Sequence, residues 1–592
     1  MTQVQEKYSI SNKQSTDIYD VVICGGGLAG MTLARQLTLQ INNISILVID
    51  RMGGTLPNAA FKVGESCVEG GAYYLGEILQ LTDYFKANHL PKLGLRFFLG
   101  NPQDSFQERP EFGTAKFHSP DSYQIDRGLL ENDLRRFNIE NGIEFLENCS
   151  IQDVSLSAND DLQKVMEKQS KKFHTVTYKQ LDKKTTQTVK AHWVVDAMGT
   201  RRFLQRKLGL AKPRNEKYNA AWFRVNDRID VSDFVPITEK EWHARVPNKI
   251  RYFSTNHLVG EGYFVWLIPL PTGYTSIGIV ANQDFHAFED FHTYEKAYKW
   301  LEKNEPMLAA QLKGKQPSDF KKMPRYNYSS SQIFSLDRWT CVGVAGTFLD
   351  PFYSLGMDMI GFANSLTTEM IRLDLDGKLT KQMTNYANAA YLEIQDNVSL
   401  SIQRCYQIFG SKNSLIINFK ILCNIITGWS VTTPMIFNSI IVKPELMSKS
   451  RNITTDFFVL SDKIERLLLD WSAKSLGRLT FEYIDYLDML PFVKELRERN
   501  LIEHKNNSQL SEDLVANLEI MEELAQVIFL LAVEDTMPEK LDQFSQDTWL
   551  NAWAISLQTQ DWESDGLFQP SSKPRSLNRV MEPLRKCIHS MP

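Results

Sequence analysis

The chain has 592 residues and a formal net charge of −5 at pH 7, from 66 lysines and arginines against 71 aspartates and glutamates. This length exceeds what one hydrophobic core usually serves, so we expect two or three lobes. The small net charge and the lack of a dense basic block argue against nucleic acid or an anionic membrane as an obligatory partner.

The cysteines and the first residues indicate the cellular compartment. Seven cysteines are scattered without a CxxC pair or a neighbouring histidine, which predicts reduced thiols and no metal site. Residues 1–17 are polar and lack the apolar core of a signal peptide, so we expect a disordered N-terminal tail. Together these features predict a cytoplasmic protein.

The first predicted unit is a strand, a glycine turn and a helix. A strand over residues 20–24 leads through Gly25–Gly30 into the helix, and a second strand ends at Asp50. In this context an ordinary glycine-rich turn is the weaker interpretation, because the glycines let a pyrophosphate approach the helix start while the acidic residue meets ribose hydroxyls. The predicted dinucleotide-binding residues are Gly25, Gly27, Leu28, Ala29, Gly30, Asp50 and Arg51.

The middle of the chain predicts a return to the nucleotide-binding sheet and a second sheet. Arg127 precedes a helix with apolar spacing, and an apolar strand over 193–195 ends at Asp196. Aromatic-rich strands over about 210–335 indicate an antiparallel sheet on the substrate side. Residues 341–347 then predict a last buried strand and a glycine turn.

Beyond residue 375 the apolar residues follow helical periodicity. The most apolar stretch, 415–442, is interrupted by Asn418, Lys420, Asn424 and Pro434, which would be costly in a bilayer. We therefore expect a buried helix pair or an apolar wall of a substrate pocket.

Five motifs resemble those of the flavin-dependent halogenases, a branch of the FAD monooxygenases. They are the glycine turn, the Lys62–Ser66 loop with its Gly-Glu-Ser run, the Asp126-Arg127 pair, Lys92 with the following Gly94-Leu95-Arg96-Phe97, and the FxxPxxSxG run from Phe348 to Gly356. The resemblance covers about residues 18–375.

The resemblance implies an α/β fold with a glutathione-reductase-like, Rossmann-type FAD domain and an interleaved antiparallel substrate-side sheet. The domain boundaries we expect are 1–17 for the tail, 18–375 for the FAD module, with its substrate-side sheet at about 210–335, and 376–592 for a helical C-terminal region. The further FAD contacts that it implies are Glu65, Ser66, Arg127, Asp196, Gly199, Gly343, Gly346 and Pro351.

In this family, FADH2 reacts with oxygen and halide, and hypohalous acid travels to a lysine that delivers the halogen to an electron-rich carbon. Lys92 would be that catalytic lysine, because an amine can hydrogen-bond hypohalous acid. Backbone amides at Ser354, Leu355 and Gly356 would hold chloride or bromide. A solvated surface lysine and an ordinary loop against the flavin are the alternatives at these two places.

Three positions depart from the family pattern. Phe264 replaces the first tryptophan of the WxWxIP signature, leaving Trp266, and Tyr353 stands where tryptophan halogenases carry a glutamate. With Phe264 and Trp266, Tyr353 is assigned to the substrate tunnel, and phenol- or pyrrole-type halogenases become the closer comparison. Val344 occupies the usual place of an acidic residue beside the ribityl chain, which predicts FAD binding weaker by about 1 to 3 kcal/mol.

The leading hypothesis is a two-component halogenase that receives FADH2 from a separate flavin reductase and acts on an aromatic or heteroaromatic substrate, free or tethered to a carrier protein. One alternative is an FAD monooxygenase or dehydrogenase of a hydrophobic substrate, with Lys92 binding a carboxylate. Another is a non-catalytic flavin-binding accessory protein. Helices over 380–592 either cover a large substrate or form a purely structural lobe.

Overall fold

The computed structural model describes residues 18–157, 173–214, 217–544, 549–569 and 576–590. The predicted tail at 1–17 lies outside these residues. In chain order, the elements before residue 342 are β1 (Ile18–Cys24), α1 (Leu28–Gln40), β2 (Ile46–Ile49), α2 (Glu69–Tyr73), α3 (Thr82–Asn88), β3 (Leu90–Pro91), β4 (Leu95–Phe98), β5 (Glu111–Gly113), β6 (Tyr123–Gln124), α4 (Arg127–Glu140), β7 (Glu144–Leu146), β8 (Cys149–Ser155), β9 (His174–Gln180), β10 (Thr185–Asp196), α5 (Phe203–Lys207), β11 (Ala211–Pro213), β12 (Tyr218–Val225), α6 (Lys240–Arg245), β13 (Thr255–Gly260), β14 (Tyr263–Pro269), β15 (Thr275–Asn282), α7 (Tyr294–Asn304), α8 (Pro306–Leu312), β16 (Pro317–Met323), β17 (Tyr328–Ser330) and β18 (Trp339–Cys341).

The later part of the chain is mainly helical. Its elements are α9 (Gly356–Leu375), α10 (Lys381–Ile408), α11 (Ser414–Thr427), α12 (Thr433–Phe437), α13 (Pro444–Lys474), β19 (Leu479–Thr480), β20 (Tyr483–Asp485), α14 (Pro491–Asn500), α15 (Asn507–Thr536), α16 (Asn578–Cys587) and β21 (His589–Ser590).

A seven-stranded sheet forms the nucleotide-binding half of the protein. Its order is β7-β2-β1-β10-β9-β8, with β18 beside β10. The strands β7, β2, β1, β10 and β18 pair in parallel, which confirms the predicted return of the apolar strand to this sheet. Their carboxyl ends therefore lie along one edge, where ligands of open α/β sheets bind.

An eight-stranded sheet forms the second layer, in the order β16-β12-β15-β14-β13-β4-β5-β20. Most of it comes from the predicted segment 210–335, but β4 and β5 come from earlier in the chain. β20 pairs in parallel with β5, so the C-terminal region is not purely helical. Because an uncovered β5 would be a sheet edge with free backbone groups, this late strand completes the sheet.

The apolar stretch that begins at Ser414 lies inside the protein. The helical run Ser414–Phe437 is long and apolar enough to cross a membrane, but 78% of its most apolar window is buried. It packs among α10, α13 and α14. Its hydrophobicity is therefore that of a core, as the sequence predicts.

Candidate active site

The carboxyl edge of the parallel sheet assembles the predicted FAD-binding turns. Gly25 has φ +117°, and a Cβ there would lie 2.4 Å from the carbonyl oxygen of Ala197, at the end of β10. A Cβ on Gly30 would lie 2.1 Å from the carbonyl oxygen of Gly25. These close approaches are possible only without side chains, and they bring the turn after β1 against the turn after β10.

Several groups at this edge fit a dinucleotide. Gly27 caps α1 without a side-chain bond, and a Cβ there would meet nothing within 4 Å, so the first amides of α1 are open to a phosphate. The half-buried Asp50 accepts a hydrogen bond from the backbone N–H of Met52 at 3.2 Å. The Nε of Arg127 is buried and has no hydrogen-bond partner among the described residues. Arg51, by contrast, is exposed.

Two of the predicted cofactor residues use their carboxylates within the protein. Asp196 accepts from the N–H groups of Met198 and Leu204, at 3.0 and 2.7 Å, and burial raises its pKa to about 6. Glu65 pairs with Arg224 at 2.8 Å. These side chains hold the FAD-facing loops in shape, so any contact with the cofactor would come from the neighbouring backbone.

The Gly343 turn lies beside the Gly199 turn. Gly343 has φ +58°, and a Cβ on it would lie 2.8 Å from the Cβ of Ala29 in α1. Val344 packs an apolar side chain near Gly199, 3.7 Å from where a Cβ on that glycine would lie, and its carbonyl accepts a hydrogen bond from Tyr328. The strand before this turn, β18, ends at Cys341, at the start of the segment 341–347 predicted to hold a strand and a glycine turn. A tight 3-10 turn that begins at Gly343 and is capped by Gly346 follows it.

The proposed halide turn meets the Gly-Glu-Ser loop. Ser354 has φ +59°, and its Oγ donates to the Oγ of Ser66 at 3.3 Å, which in turn lies 2.8 Å from the Oγ1 of Thr255. Leu355 caps α9 without a side-chain bond, and Gly356 is exposed. The first amides of α9 thus remain available to an anion, next to Pro351 in the same turn.

Lys92 is a buried cation rather than a surface lysine. It lies between β3 and β4, is 5% exposed, and its Nζ donates to the carbonyl oxygen of Cys67 at 3.0 Å. Burial lowers the pKa of Lys92 to about 8, against the opposing effect of the charges of nearby acidic groups, Glu69 and Asp358 among them. A lysine in this state can exchange a proton near neutral pH.

Arg96, in the strand after Lys92, belongs to a separate buried cluster with Glu111 and Arg251. The side chains of all three are fully buried. Arg251 binds both oxygens of Glu111, at 2.8 and 3.0 Å, and Arg96 also donates to Glu111, to the carbonyl of Thr114 and to the Oγ of Ser254. We call these three residues the anchor cluster, because they fix β4 and β5 against the loop before β13.

Lys92 borders a cavity of about 1200 Å³, its open mouth included. One wall comes from the FAD module, with Lys92, Tyr353, Leu355 and Asp358. The opposite wall comes from the C-terminal helices; it includes Asn397, Leu400 and Ser401 of α10, Asn424 and Ile425 of α11, Trp429 and Thr432 of the following turn, Phe458 and Asp462 of α13, and Tyr486 after β20. The two halves of the chain therefore enclose the lysine together.

Comparison with known proteins agrees with this arrangement. A family described as FAD binding domain matches residues 18–269. A flavin-dependent halogenase of Dictyostelium discoideum is 30% identical over 376 residues, 60% of this chain and 60% of the relative. The 1H-pyrrole-2-carbonyl-(peptidyl-carrier protein) chlorinase of Pseudomonas fluorescens is 26% identical over 360 residues, 58% of this chain and 73% of the relative. The chain carries an FAD binding domain and is similar to flavin-dependent halogenases over about three fifths of its length.

The fold likeness extends into the helical region. The crystal structure of the halogenase PltM in complex with phloroglucinol and FAD matches 89% of this chain and 98% of its own, with a TM-score of 0.57 and 17% identity. The sequence alignment, in contrast, spans only about three fifths of the length of the Dictyostelium halogenase. The likeness in fold therefore covers more of the chain than the likeness in sequence does.

The residues that the sequence assigns to a substrate tunnel separate into two groups. Tyr353 lines the cavity, and its hydroxyl accepts a hydrogen bond from Asn424 at 2.9 Å. Phe264 and Trp266 do not border the cavity. Phe264 is fully buried against Phe352, with ring centroids 4.8 Å apart, and Trp266 lies over Gly278. Alternating aromatics on β14 serve the core here, as they commonly do in strands.

Two acidic residues near Lys92, Glu69 and Asp358, were not predicted from the sequence. Glu69 follows the Gly-Glu-Ser loop by three positions, and Asp358 follows Gly356 by two, so both lie just beyond recognised motifs. Glu69 pairs with Arg497 of α14 at 2.9 Å. Asp358 is 5% exposed, and burial raises its pKa to about 8. Only the packing of α9 on α2 brings them to the lysine.

Proposed function

We propose that the protein is a two-component flavin-dependent halogenase that transfers chlorine or bromine to an electron-rich aromatic or heteroaromatic carbon through Lys92. The observation that carries this proposal is the placement of Lys92. It is buried, has a pKa lowered to about 8, and borders a large cavity near the proposed halide turn. A structural lysine would need no such cavity.

The proposed reaction uses two parts of the site, the sheet edge that would bind FAD and the lysine that would deliver the halogen. The FAD ring and phosphates would lie along the carboxyl edge of the parallel sheet, held by the glycine turn, Asp50 and Arg127. Bound there, FADH2 with oxygen and halide supplies hypohalous acid. Lys92 donates a hydrogen bond from Nζ to that acid and holds its halogen towards the cavity, while the apolar walls keep bulk water away.

The cavity supports an aromatic substrate of some size. Its far wall combines apolar side chains with polar ones, and the named relatives include a carrier-protein-linked pyrrole halogenase and a halogenase crystallised with the triphenol phloroglucinol. A free phenol and a carrier-bound heteroaromatic are both compatible with this cavity. The C-terminal helices would then be the substrate pocket rather than a purely structural lobe.

The partners follow from the chemistry. One glycine fingerprint is present in the sequence, so a separate flavin reductase would supply FADH2. The cysteines are free thiols, and the reaction would need a flavin reductase. Both features fit a reaction in the cytoplasm. Within the described residues no group of three or more His, Cys, Asp or Glu side chains could hold a metal ion.

The test is product mass. Purified protein would be incubated with FAD, a flavin reductase, NADH, oxygen, bromide and phloroglucinol, with catalase present to remove peroxide. We expect a bromine isotope pair in the product and at least a 10²-fold loss of it in Lys92→Ala. The control variant Lys86→Ala removes an exposed lysine six residues earlier and should brominate normally. Bromination that survives Lys92→Ala, or a product carrying only oxygen, would contradict the proposal.

A second test addresses the pocket. Leu400 of α10 and Thr432 of the turn after α11 face the cavity from the C-terminal region. Leu400→Trp and Thr432→Trp should each weaken the binding of phloroglucinol and raise its KM by about tenfold or more, because the new ring fills space that the substrate needs. The binding of FAD should stay unchanged. Unchanged KM values in both variants would place the substrate elsewhere.

A further inference from the structure

Asp358 is a buried acid on the wall of the Lys92 cavity, and its carboxyl accepts hydrogen bonds from the backbone N–H groups of Gly71 and of its own residue. It lies in the first turn of α9, two residues after the proposed halide turn, and only 5% of it is exposed. Its Oδ2 is buried without a hydrogen-bond partner in the described part of the chain. A buried carboxyl oxygen with no partner costs free energy, so a ligand that supplies a hydrogen would relieve that cost.

The local backbone is shaped around this carboxyl. A Cβ on Gly70 would lie 2.2 Å from Oδ1 of Asp358, and a Cβ on Gly71 would lie 3.2 Å from Oδ2. Two successive glycines at the start of α2 therefore let α9 bring Asp358 close. Any side chain at Gly70 would push the carboxyl away from its place beside the lysine.

The charged neighbours of Asp358 are already committed to other partners. Glu69 of α2 binds Arg497 of α14, which also donates to the carbonyl of Ser119. Lys92 donates to the carbonyl of Cys67, and burial raises the pKa of the Cys67 thiol to about 12, so it stays protonated. Asp358 is thus the acid of this group that remains open to the cavity.

We propose that Asp358 is the catalytic base that takes the proton from the hydroxyl of a phenolic substrate and so activates its ring for Lys92. This inference rests on the proposed function and adds the substrate class: a phenol rather than a pyrrole or a neutral arene. It also explains how a chain with Tyr353 in place of the tryptophan-halogenase glutamate still presents a carboxylate to its substrate. That carboxylate comes from the first turn of α9.

The proposed steps return Asp358 and Lys92 to their starting protonation states. The phenolic O–H proton moves to Asp358, and the resulting phenolate attacks through a ring carbon. A carbon–halogen bond forms while the oxygen–halogen bond of hypohalous acid breaks, and its electron pair goes to the departing hydroxyl. Lys92 protonates that hydroxyl to water. The ring carbon then loses its hydrogen as a proton to the Lys92 amine, and Asp358 returns its proton to the phenolate oxygen.

Asp358 and Lys92 have similar pKa values, so moving a proton to or from either residue near neutral pH costs little free energy. Burial raises the pKa of Asp358 to about 8 and lowers that of Lys92 to about 8, so each can give or take a proton near neutral pH. Asp358 must be ionised and Lys92 protonated for the reaction, so the phenol-to-ether ratio of turnover, in which the Lys92 titration cancels, should rise with pH through this range. An aryl ether has no hydroxyl proton, so its turnover reports the titration of Lys92 without this step.

The first experiment compares phloroglucinol with its trimethyl ether, both with bromide. At about pH 7, where the free phenol is mostly protonated, we expect Asp358→Asn to lower the phenol-to-ether ratio of kcat at least 10²-fold, whereas Asp358→Glu should recover part of it. Asp83→Asn, at an exposed aspartate of α3, is the control. A ratio that Asp358→Asn leaves unchanged at every pH would overturn the proposal.

The second experiment needs neither flavin nor halide. It therefore tests whether Asp358 takes a proton from a bound phenol even if the protein halogenates nothing. A nitrophenol absorbs at longer wavelength when ionised. With 3-nitrophenol, which ionises a little above about pH 8, we expect the wild-type protein at about pH 8, where Asp358 is partly ionised, to bind a larger ionised fraction of the probe than is present free in solution. Asp358→Asn should bind the same probe without this spectral shift. A shift of equal size in both proteins, or none in the wild type, would show that Asp358 takes no proton.

Discussion

Two buried charge clusters lie on either side of the strand that follows Lys92, and they differ in how completely they are bonded. In the anchor cluster, Glu111 receives hydrogen bonds from both arginines, and the arginines also bind backbone carbonyls. Beside the cavity, Lys92 makes one side-chain hydrogen bond within the described residues and Asp358 keeps an unpartnered oxygen. Buried charge that is fully bonded supports the fold, whereas buried charge with free bonding capacity is available for chemistry.

The pKa directions show the same contrast. Burial alone would raise the pKa of Glu111, but the charges and hydrogen bonds of Arg96 and Arg251 outweigh it and hold that pKa below its usual value. For Asp358 burial dominates and the pKa rises to about 8. The first carboxyl is therefore fixed as an anion, while the second can change its state near neutral pH.

Removing the charge of Glu111 should have the largest effect on stability. Glu111→Gln leaves two buried arginines without their anion, so we expect the free energy of unfolding to fall by about 3 to 5 kcal/mol in urea titrations. Glu108→Gln, at an exposed position three residues earlier, should change it by less than about 0.5 kcal/mol. If Glu111→Gln is as stable as the control variant, the anchor cluster does not support the fold.

Asp358→Asn should instead stabilise the protein at neutral pH. The folded pKa of Asp358 lies well above the usual value of 3.8 for an aspartate, so the folded state binds more protons between about pH 4 and pH 8. The wild type therefore loses stability as pH rises through that window. The asparagine variant lacks this loss, so its stability advantage over the wild type should grow as pH rises from 4 towards 8. Melting temperatures measured from pH 4.5 to 8.5 test this, and a difference independent of pH would contradict it.

Lys92→Met should give a smaller effect with the opposite pH dependence. The folded pKa of Lys92 is lowered from 10.5 to about 8, so the unfolded state binds more protons between these values and wild-type stability rises with pH there. The methionine variant should therefore be more stable at pH 8, by on the order of 1 kcal/mol, and lose this advantage towards pH 10.5. Urea unfolding of both proteins at pH 8 and pH 10 would show it, and an advantage that grows with pH would refute the assignment.

The features that the sequence predicted are those that depend on local backbone geometry. The glycine turn, Asp50 and the return of the strand ending at Asp196 follow from a few neighbouring residues, because a dinucleotide requires close backbone approach. Lys92 was found by resemblance through its flanking residues Gly94 and Arg96. The structure then gave Arg96 a separate role as an anchor.

The features that the sequence did not predict depend on contacts between distant segments. Asp358 meets Lys92 only because α9 packs on α2, and Tyr486 reaches the carbonyl of Leu95 at 3.4 Å from 391 positions away. Side chains that form a pocket wall carry no spacing signal of their own, since their neighbours come from other helices. Phe264 and Trp266 are buried and do not line the Lys92 cavity, so their assignment to a tunnel stays a prediction.

The pairing of β20 with β5 sets the order in which the protein can be completed during synthesis. Because a ribosome delivers the chain from its N-terminus, β18 and the FAD edge can form while more than two hundred residues are still to be made. Tyr486 and Arg497 arrive only after most of the remaining chain has emerged. The nascent protein can thus form its FAD-binding edge well before Lys92 is enclosed, and an interrupted translation product would lack the walls of the Lys92 cavity.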